Sequence, residues 1–274
     1  MDKIRRNERM SAMMKILAAK PNRIFTLSYF CDLFGSAKST MSEDIDILRN
    51  VVAHFGLGEL ETVTGAAGGV RYRTKVRRPE ARKFIGDLCQ QLSEEGRVLP
   101  GGFLYYSDIL STPEIVTRMG EIMATEYYAA APDFVLTMET KGVPVAFATA
   151  NALGVPLVIA RRCTKVNEGS AVNINDVSGS SGHIETMSLS RRAVQEGQKC
   201  LIVDDFLKGG GTAKGMVDLM REFNVDVVGM TFVMSTAKPV KKRVMGEKSL
   251  MVMDIDQEHE TVLVKPAFWL NGDA

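Results

Sequence analysis

Apolar positions in the first 75 residues recur at helical spacing and later alternate at strand spacing. The helical spacing predicts three helices, over residues 5–19, 26–34 and about 37–53. Thr26 suits the N-cap of the second helix, and Gly35 suits the tight turn that closes it, because glycine readily adopts positive φ. Two helices joined by a short turn at a glycine are typical of a helix-turn-helix.

Two short strand-like runs follow these helices, Glu59–Thr64 and Val70–Lys75. They are separated by the segment Gly65-Ala-Ala-Gly-Gly69, whose glycines suit the tip of a hairpin. A helix-turn-helix followed by such a hairpin is typical of a winged helix. We therefore predict a winged helix-turn-helix domain over residues 1–75.

Beyond residue 80, short strand-like runs alternate with helical segments, a pattern that predicts a mostly parallel sheet flanked by helices. Helices are predicted over residues 80–95, 113–128, 143–153, 190–196 and 212–223, and strands over 134–138, 157–160, 201–203 and 225–234. The polar segment Lys165–Gly182 predicts a mobile loop or hood over the ligand site. The fold class is therefore α/β, with a second domain over residues 76–274.

The charges divide unevenly between these two predicted domains. The whole chain has a formal net charge of +1, but residues 1–78 hold fourteen Lys or Arg against eight Asp or Glu, a net charge of +6, which leaves −5 for the remainder. A basic N-terminal domain joined to an acidic second domain indicates that the N-terminal domain binds a polyanion. Short segments also reach such an excess by chance, so the charge alone leaves both interpretations open.

The placement of the charges favours DNA as that polyanion. The start of the third helix, Ser36–Ser42, is small, hydroxyl-rich and basic, which suits a helix whose first turn enters a major groove. Alternation places Arg71 and Arg73 on one face of the wing, where they suit the neighbouring DNA backbone or the minor groove. The alternative is that the hydroxyls merely cap a helix and the arginines are solvated. If the helix does bind DNA, the acids further along it must face away from the DNA: Glu43, Asp44 and Asp46. The predicted contacts with double-stranded DNA are Arg5, Arg6, Lys38, Ser39, Thr40, Ser42, Arg71 and Arg73.

A ligand-binding motif lies in the second domain, at Val203-Asp-Asp-Phe-Leu-Lys-Gly-Gly-Gly-Thr212. A buried strand ends in two carboxylates, turns through three glycines and enters a helix. The glycines let the backbone approach an anion, and the free N–H groups at the helix start point towards it. Asp204 and Asp205 can accept hydrogen bonds from vicinal sugar hydroxyls. The motif predicts a sugar-phosphate site at the carboxyl edge of the sheet, against the alternative of a plain glycine-rich turn.

This motif closely resembles the binding motif of type I phosphoribosyltransferases for 5-phosphoribosyl 1-pyrophosphate (PRPP). The segment Leu136-Thr-Met-Glu-Thr-Lys-Gly142 is similar to the loop that holds pyrophosphate in that family, with Lys141 supplying charge. The resemblance implies a type I phosphoribosyltransferase fold for the second domain. The predicted effector-binding residues are Thr140, Lys141, Gly142, Arg161, Asp204, Asp205, Phe206, Leu207, Lys208, Gly209, Gly210, Gly211, Thr212 and Phe103. No catalytic residue and no metal ligand is predicted.

The whole chain resembles the purine operon repressors of Gram-positive bacteria. The resemblance rests on Ala37–Asp44, the wing, Leu99–Gly102, Lys165–Ser170 and Asn173–Gly182, as well as on the glycine-rich motif. It implies a homodimeric DNA-binding repressor of purine biosynthesis and transport genes, which PRPP releases from its operator. The resemblance implies that the protein requires no cofactor, although Mg²⁺ can accompany the pyrophosphate of PRPP. It also implies a guanosine polyphosphate as a co-repressor in the same pocket, with Phe103 as a stacking surface.

The principal alternative is a catalytic purine phosphoribosyltransferase with a DNA-binding appendage. Catalysis in this superfamily depends mainly on positioning and charge stabilisation, so the lack of a strong acid–base pair does not exclude it. His183 lies within the hood, but a lone loop histidine is more typical of a solvated side chain. The DNA-binding head favours a sensor over an enzyme. Release by allosteric coupling and release by direct competition with DNA remain equally open.

The composition predicts a cytoplasmic protein. The four cysteines, at positions 31, 89, 163 and 200, form no Cys-x-x-Cys pair and are too widely spaced for a disulfide framework. The longest uncharged run, Gly142–Ala160, is punctuated by two prolines, an asparagine and a glycine, which predict a helix, a turn and a strand rather than a membrane span. No secretory signal is predicted, because Lys15 interrupts the apolar stretch behind the basic start.

Overall fold

The computed structural model describes residues 4–65, 68–94, 96–99, 103–162, 170–177, 184–256 and 261–271. The chain divides into two compact units, each described separately below. The first comprises Met1–Arg77 with Asn151–Gly154, and the second comprises Arg78–Ala150 with Val155–Ala274. The sequence-based boundary at residues 75/76 stays a prediction.

The first unit has three helices followed by a hairpin, as the spacing predicts. Its elements are α1 (Arg6–Ala18), α2 (Leu27–Phe34), α3 (Lys38–His54), β1 (Glu59–Val63) and β2 (Gly69–Arg73). The two strands are antiparallel, with Glu61 opposite Arg71. Ala66 and Ala67, in the predicted hairpin tip, lie outside the described residues. The three predicted helices and the hairpin are confirmed.

Local chemistry explains where α2 begins and ends. The Thr26 hydroxyl accepts a hydrogen bond from the Tyr29 N–H at 3.2 Å, which satisfies one of the free donors of the first turn. Gly35 follows the helix with a φ of 60°, a conformation that glycine adopts without strain. Phe25 pairs with Val70 through two backbone hydrogen bonds, an isolated β-bridge that ties the segment before α2 to the wing. The core of this unit is apolar and includes the fully buried Phe30.

The second unit is built on a six-stranded sheet of order β12-β11-β10-β9-β5-β6. All neighbouring pairs are parallel except β11 and β12, which confirms the predicted mostly parallel sheet. Its helices are α4 (Arg78–Leu92), α5 (Ser107–Leu110), α6 (Pro113–Tyr127), α7 (Val143–Leu153), α8 (Gly211–Glu222) and a 3-10 helix, Phe268–Asn271. Its strands are β3 (Val98–Leu99), β4 (Phe103–Leu104), β5 (Phe134–Met138), β6 (Leu157–Ala160), β7 (Ala171–Val177), β8 (Ile184–Ser190), β9 (Lys199–Leu207), β10 (Asp226–Thr236), β11 (Lys248–Asp256) and β12 (Thr261–Pro266).

Three sequence-based expectations are corrected here. The helix predicted over 190–196 is wrong, because β8 continues to Ser190 and turns follow. Part of the predicted hood is not a loop, since β7 and β8 pair as an antiparallel hairpin. The strand predicted to end before the two acids runs on to Leu207, so Asp204 and Asp205 lie within β9. Residues 165–169 and 178–182 of the hood, together with His183 next to it, lie outside the described residues.

The central strands are apolar on both faces, as strands covered by helices must be. All five residues of β5 are buried, and so are the first residues of β9 after Lys199. This burial holds β5 and β9 in place within the sheet. The predicted ligand loops follow directly from the carboxyl ends of these two strands. No helix among the described ranges is both long and apolar enough to cross a membrane.

Candidate functional site

The loop between β9 and α8 forms a backbone cup. Gly210 occupies the N-cap of α8 with a φ of 83°, which turns the chain so that the first amides of the helix are left without helical acceptors. The positive end of the helix dipole lies at the same point. The cup therefore provides N–H donors and a favourable potential for an anion such as a sugar 5-phosphate.

A second segment supports this cup from the side. The Lys242 ammonium donates to the backbone carbonyls of Lys208 at 2.6 Å and Thr236 at 2.8 Å. The Arg243 N–H donates to the Gly209 carbonyl at 2.9 Å. Burial lowers the pKa of Lys242 from its ordinary value. Sequence reasoning missed Lys242, because no local pattern shows which distant segment meets the glycine loop.

Asp204 is a buried carboxylate at the end of the sheet. Its side chain is packed against Gly142, and its Oδ1 accepts a hydrogen bond from the Asp205 N–H at 2.9 Å. Burial raises the pKa of Asp204 well above its ordinary value, and the neighbouring charge of Asp205 adds to the effect. The ionised carboxylate of Asp204 is therefore poorly solvated, and hydrogen bonds donated by ligand hydroxyls would stabilise it.

Asp205 contacts a residue that the sequence analysis did not include in the site. The Tyr106 hydroxyl donates to Asp205 Oδ2 at 2.7 Å. The Tyr106 ring stacks against Phe206 with centroids 6.2 Å apart, and the Lys141 ammonium lies 5.2 Å from the ring centroid. Burial raises the pKa of Tyr106 above its ordinary value, and Asp205 adds to that, so the hydroxyl stays protonated.

The loop after β5 is held by charges from the next strand end. Glu139 accepts from the Arg162 N–H at 2.9 Å and forms an ion pair with Arg161 at 3.3 Å. The peptide bond between Glu139 and Thr140 is cis. Arg161, predicted to contact the effector, therefore has an intramolecular partner in this loop.

The predicted effector residues differ in where the structure places them. The structure brings together Lys141, Gly142, Asp204, Asp205 and Phe206 through the contacts described above. Leu207 is 2% exposed and belongs to the core, so only its backbone is available to a ligand. Thr140 and Lys208 are exposed at the surface, whereas Thr212 is half-buried in the first turn of α8. Phe103 on β4 is 70% exposed, and no described contact joins it to the acids.

A cavity of about 730 Å³ adjoins the cup. It reaches from Lys208 in the cup to the carboxyl ends of β10 and β11, and its lining combines cations, an acid and apolar side chains. The lining residues are Lys208, Thr236, Lys238, Met253, Asp254, Ile255, Thr261 and Leu263. Its volume lies in the range of small-molecule sites.

The first turn of α3 forms one wall of a groove in the first unit. The groove has a volume of about 510 Å³ and is also lined by α2 and the wing. Lys38 and Ser42 line this groove and are exposed. Ser39 is exposed and Thr40 half-buried in the same turn, but neither lines the groove. Arg49 donates to the Leu60 carbonyl at 3.1 Å, which joins α3 to β1.

The acids of α3 differ in their placement. Asp44 faces away from the groove as expected, and it is fully buried in ion pairs with Arg9 at 2.6 Å and Arg6 at 2.9 Å. Glu43 is exposed and lies 3.5 Å from Arg6. The expectation is wrong for Asp46, which lines the groove and pairs with Arg49. Positions three to four apart share a helix face, and this spacing places Asp46 beside Ser42.

The wing arginines lie on one face, as alternation predicts, but they share an acidic partner. Glu61 forms ion pairs with Arg71 and Arg73, each at 2.9 Å. The hydrogen bond from Arg71 lowers the pKa of Glu61, with Arg73 adding to it. Arg6 is likewise paired with Asp44, and Arg5 is exposed at the start of α1, where its backbone N–H donates to Glu8. On the proposed DNA face, Lys38 is therefore a more exposed positive charge than the two wing arginines, which are ion-paired with Glu61.

Comparison with known proteins identifies both units. Residues 5–74 match the family described as bacterial purine repressor, N-terminal, and residues 106–267 match the phosphoribosyl transferase domain. A probable purine biosynthesis transcriptional regulator, PurR, of Streptococcus pneumoniae is 43% identical over 96% of this chain and 96% of its own. The chain belongs to the PurR family.

Other members of the PurR family are similar over most of the chain. The purine biosynthesis transcriptional repressor of Bacillus subtilis is 43% identical over 89% of this chain and 86% of its own. The purine biosynthesis transcriptional activator of Lactococcus lactis is 38% identical over 92% and 93%. Among solved structures, an adenine phosphoribosyltransferase from Thermoanaerobacter pseudethanolicus has a TM-score of 0.53 at 21% identity, covering 62% of this chain and 99% of its own. That likeness confirms the phosphoribosyltransferase fold.

Proposed function

We propose that the protein is a cytoplasmic, homodimeric repressor of purine biosynthesis and transport genes, and that PRPP releases it from DNA. The observation that carries the proposal is the ligand site itself. Two acids, a glycine cup and the Lys141 loop lie at neighbouring strand ends, in a chain of the PurR family. The names of the relatives support control of purine biosynthesis genes; the Bacillus subtilis relative is named a repressor and the Lactococcus lactis relative an activator, and neither name mentions transport genes.

The chemistry of the site supports PRPP as the effector. The cup suits the 5-phosphate, the two carboxylates suit the ribose hydroxyls, and the Lys141 ammonium suits the pyrophosphate. Mg²⁺ is proposed only as a companion of the pyrophosphate, since hard cations prefer phosphate oxygens together with water. A guanosine polyphosphate is proposed as a co-repressor because it carries the same sugar and pyrophosphate groups.

Release requires that PRPP bind the DNA-free conformation more tightly than the DNA-bound one. A tenfold loss of DNA affinity needs about 1.4 kcal/mol of coupling, which is modest for a ligand with this much charge. Direct competition is the second route, because a basic phosphate pocket can also attract DNA. In both routes PRPP must lower DNA occupancy.

A gel shift on a purine-gene control region tests the proposal. We expect the protein to retard this DNA and PRPP to reverse the shift, whereas ribose 5-phosphate with separate pyrophosphate should act only at higher concentrations because it lacks the joined contacts. Transcription from the same region in vitro then gives the direction of control. Unchanged DNA occupancy at saturating PRPP would contradict the effector assignment, and enhanced transcription would contradict the repressor assignment.

Lys38→Ala is expected to weaken DNA binding and to reduce the slope of log affinity against log salt by about one, because one phosphate contact is lost. Arg71→Ala should change the slope less, since Arg71 is already ion-paired with Glu61, which it shares with Arg73. Lys15→Ala, an exposed lysine of α1, is the control and should behave as the wild type. Fluorescence titrations at several salt concentrations measure all three slopes. A wild-type slope for Lys38→Ala would remove this residue from the interface.

A second candidate function is purine phosphoribosyl transfer, which the cavity beside Lys208 favours because it has room for a nucleobase. Incubation of the protein with PRPP and each purine base, followed by a nucleotide assay, separates the two functions. We expect no turnover above background. Robust turnover would make the protein an enzyme with a DNA-binding domain.

A further inference from the structure

Tyr106 lies at the centre of the proposed effector site, although no ligand motif includes it. Its hydroxyl is hydrogen-bonded to Asp205, its ring stacks on Phe206, and the Lys141 ammonium lies over the same ring. These partners come from β9 and from the loop before α7. One aromatic side chain therefore touches both the predicted ribose site and the predicted pyrophosphate loop.

The hydrogen bond to Asp205 is a strong one by its chemistry. The acceptor is a carboxylate, and an O–H···O⁻ bond of 2.7 Å has the length of a charge-assisted bond. A sugar hydroxyl that donates to the same Oδ2 would offer the same chemistry as the Tyr106 hydroxyl. Because the Tyr106 hydroxyl already occupies this oxygen, the two donors compete for it.

We propose that the Tyr106 hydroxyl is an internal substitute for a sugar hydroxyl, and that a ribose-bearing effector binds by displacing it from Asp205. This inference rests on the proposed function, because it assigns the sugar of the effector to Asp205. Displacement moves Tyr106, which directly precedes α5. Binding of a sugar therefore shifts the start of a helix that carries none of the predicted ligand residues. Tyr106 is thus a positioning residue that sets effector affinity.

The ring and the hydroxyl of Tyr106 can be separated experimentally. The ring keeps its contacts with Phe206 and Lys141 when the hydroxyl is removed, because stacking and cation–π contacts need only the aromatic face. Tyr106→Phe therefore deletes the competing donor and leaves the packing. Tyr105→Phe is a matched control at a neighbouring side chain that is 45% exposed.

The experiment measures binding of three probes by calorimetry to the full-length protein. PRPP and ribose 5-phosphate carry the vicinal hydroxyls, whereas inorganic pyrophosphate carries none. For Tyr106→Phe we expect PRPP and ribose 5-phosphate to bind about ten- to hundredfold more tightly, the range of one net hydrogen bond to a charged group. Pyrophosphate should bind with wild-type affinity. Tyr105→Phe should leave all three affinities unchanged.

The outcomes separate this inference from the function on which it rests. Unchanged or weaker PRPP binding by Tyr106→Phe, with normal binding by the wild type, overturns the competition and leaves the proposed function standing. A change in pyrophosphate affinity equal to that for PRPP also overturns it, because a general loosening of the site would then account for the effect. Failure of the wild-type protein to bind PRPP overturns both.

Discussion

Gly142→Ala is expected to weaken PRPP binding about a hundredfold and to lower the free energy of unfolding by about 2 kcal/mol. A Cβ at this position would overlap Asp204 Oδ1 and lie 2.7 Å from Thr137 Oγ1. Both side chains are buried, at 6% and 0% exposure, so neither has free space into which to move. The carboxylate predicted to hold the ribose would have to leave its position.

Calorimetric PRPP titration and denaturant unfolding measure these two effects. Gly86→Ala is the matched control, because a Cβ there meets no atom within 4 Å and the residue lies inside α4. Alanine favours a helix over glycine by about 1 kcal/mol, so this control should be slightly more stable and bind PRPP normally. Wild-type affinity in Gly142→Ala would contradict the placement of the ribose at Asp204.

Asp204→Asn is expected to abolish release by PRPP while making the ligand-free protein more stable by about 1 kcal/mol at neutral pH. The amide loses the charge that strengthens hydrogen bonds with sugar hydroxyls. It also removes a buried negative charge whose ionised form is disfavoured by burial and by Asp205. Stability and function are opposed at this position, as is common for groups prepared to bind a ligand.

The gain in stability should depend on pH with a defined sign. The pKa of Asp204 is higher in the folded protein than in the unfolded chain, so the folded state binds more protons between these two values. The wild type then loses stability as pH rises from about 4 through the raised pKa, whereas Asp204→Asn does not. Melting temperatures of both proteins between pH 4 and 8 should diverge with increasing pH. A constant difference, or one that grows towards acid pH, would contradict the raised pKa.

The elements of the first unit were largely predictable because local signals determine them. A hydroxyl at Thr26 and a glycine at position 35 mark the ends of α2, and both act as the sequence indicates. The helix predicted over 190–196 failed for the opposite reason. Its first residue, Ser190, ends β8 and pairs with Ala171 of β7, and turns follow. Local spacing does not report this pairing.

The candidate site was predictable only in part. The glycine cup and the two acids are contiguous in the chain, so their joint chemistry can be read along it. The length of β9 was underestimated because two acids resemble the end of a strand, although Asp204 is buried within it. Lys242 and Tyr106 were missed because each is brought to the site from a distant part of the sequence.

The sequence by itself determined the two kinds of unit, the family and the anion-binding turn, since these depend on spacing, glycine conformation and charge over short segments. The tertiary structure alone decided which groups those residues meet. It placed Tyr106 on Asp205, 99 positions away, and Gly142 against Asp204. It also gave Arg71 and Arg73 a common partner in Glu61. Such contacts arise from packing between elements that are distant in the chain, and packing selects partners by shape and burial rather than by sequence spacing.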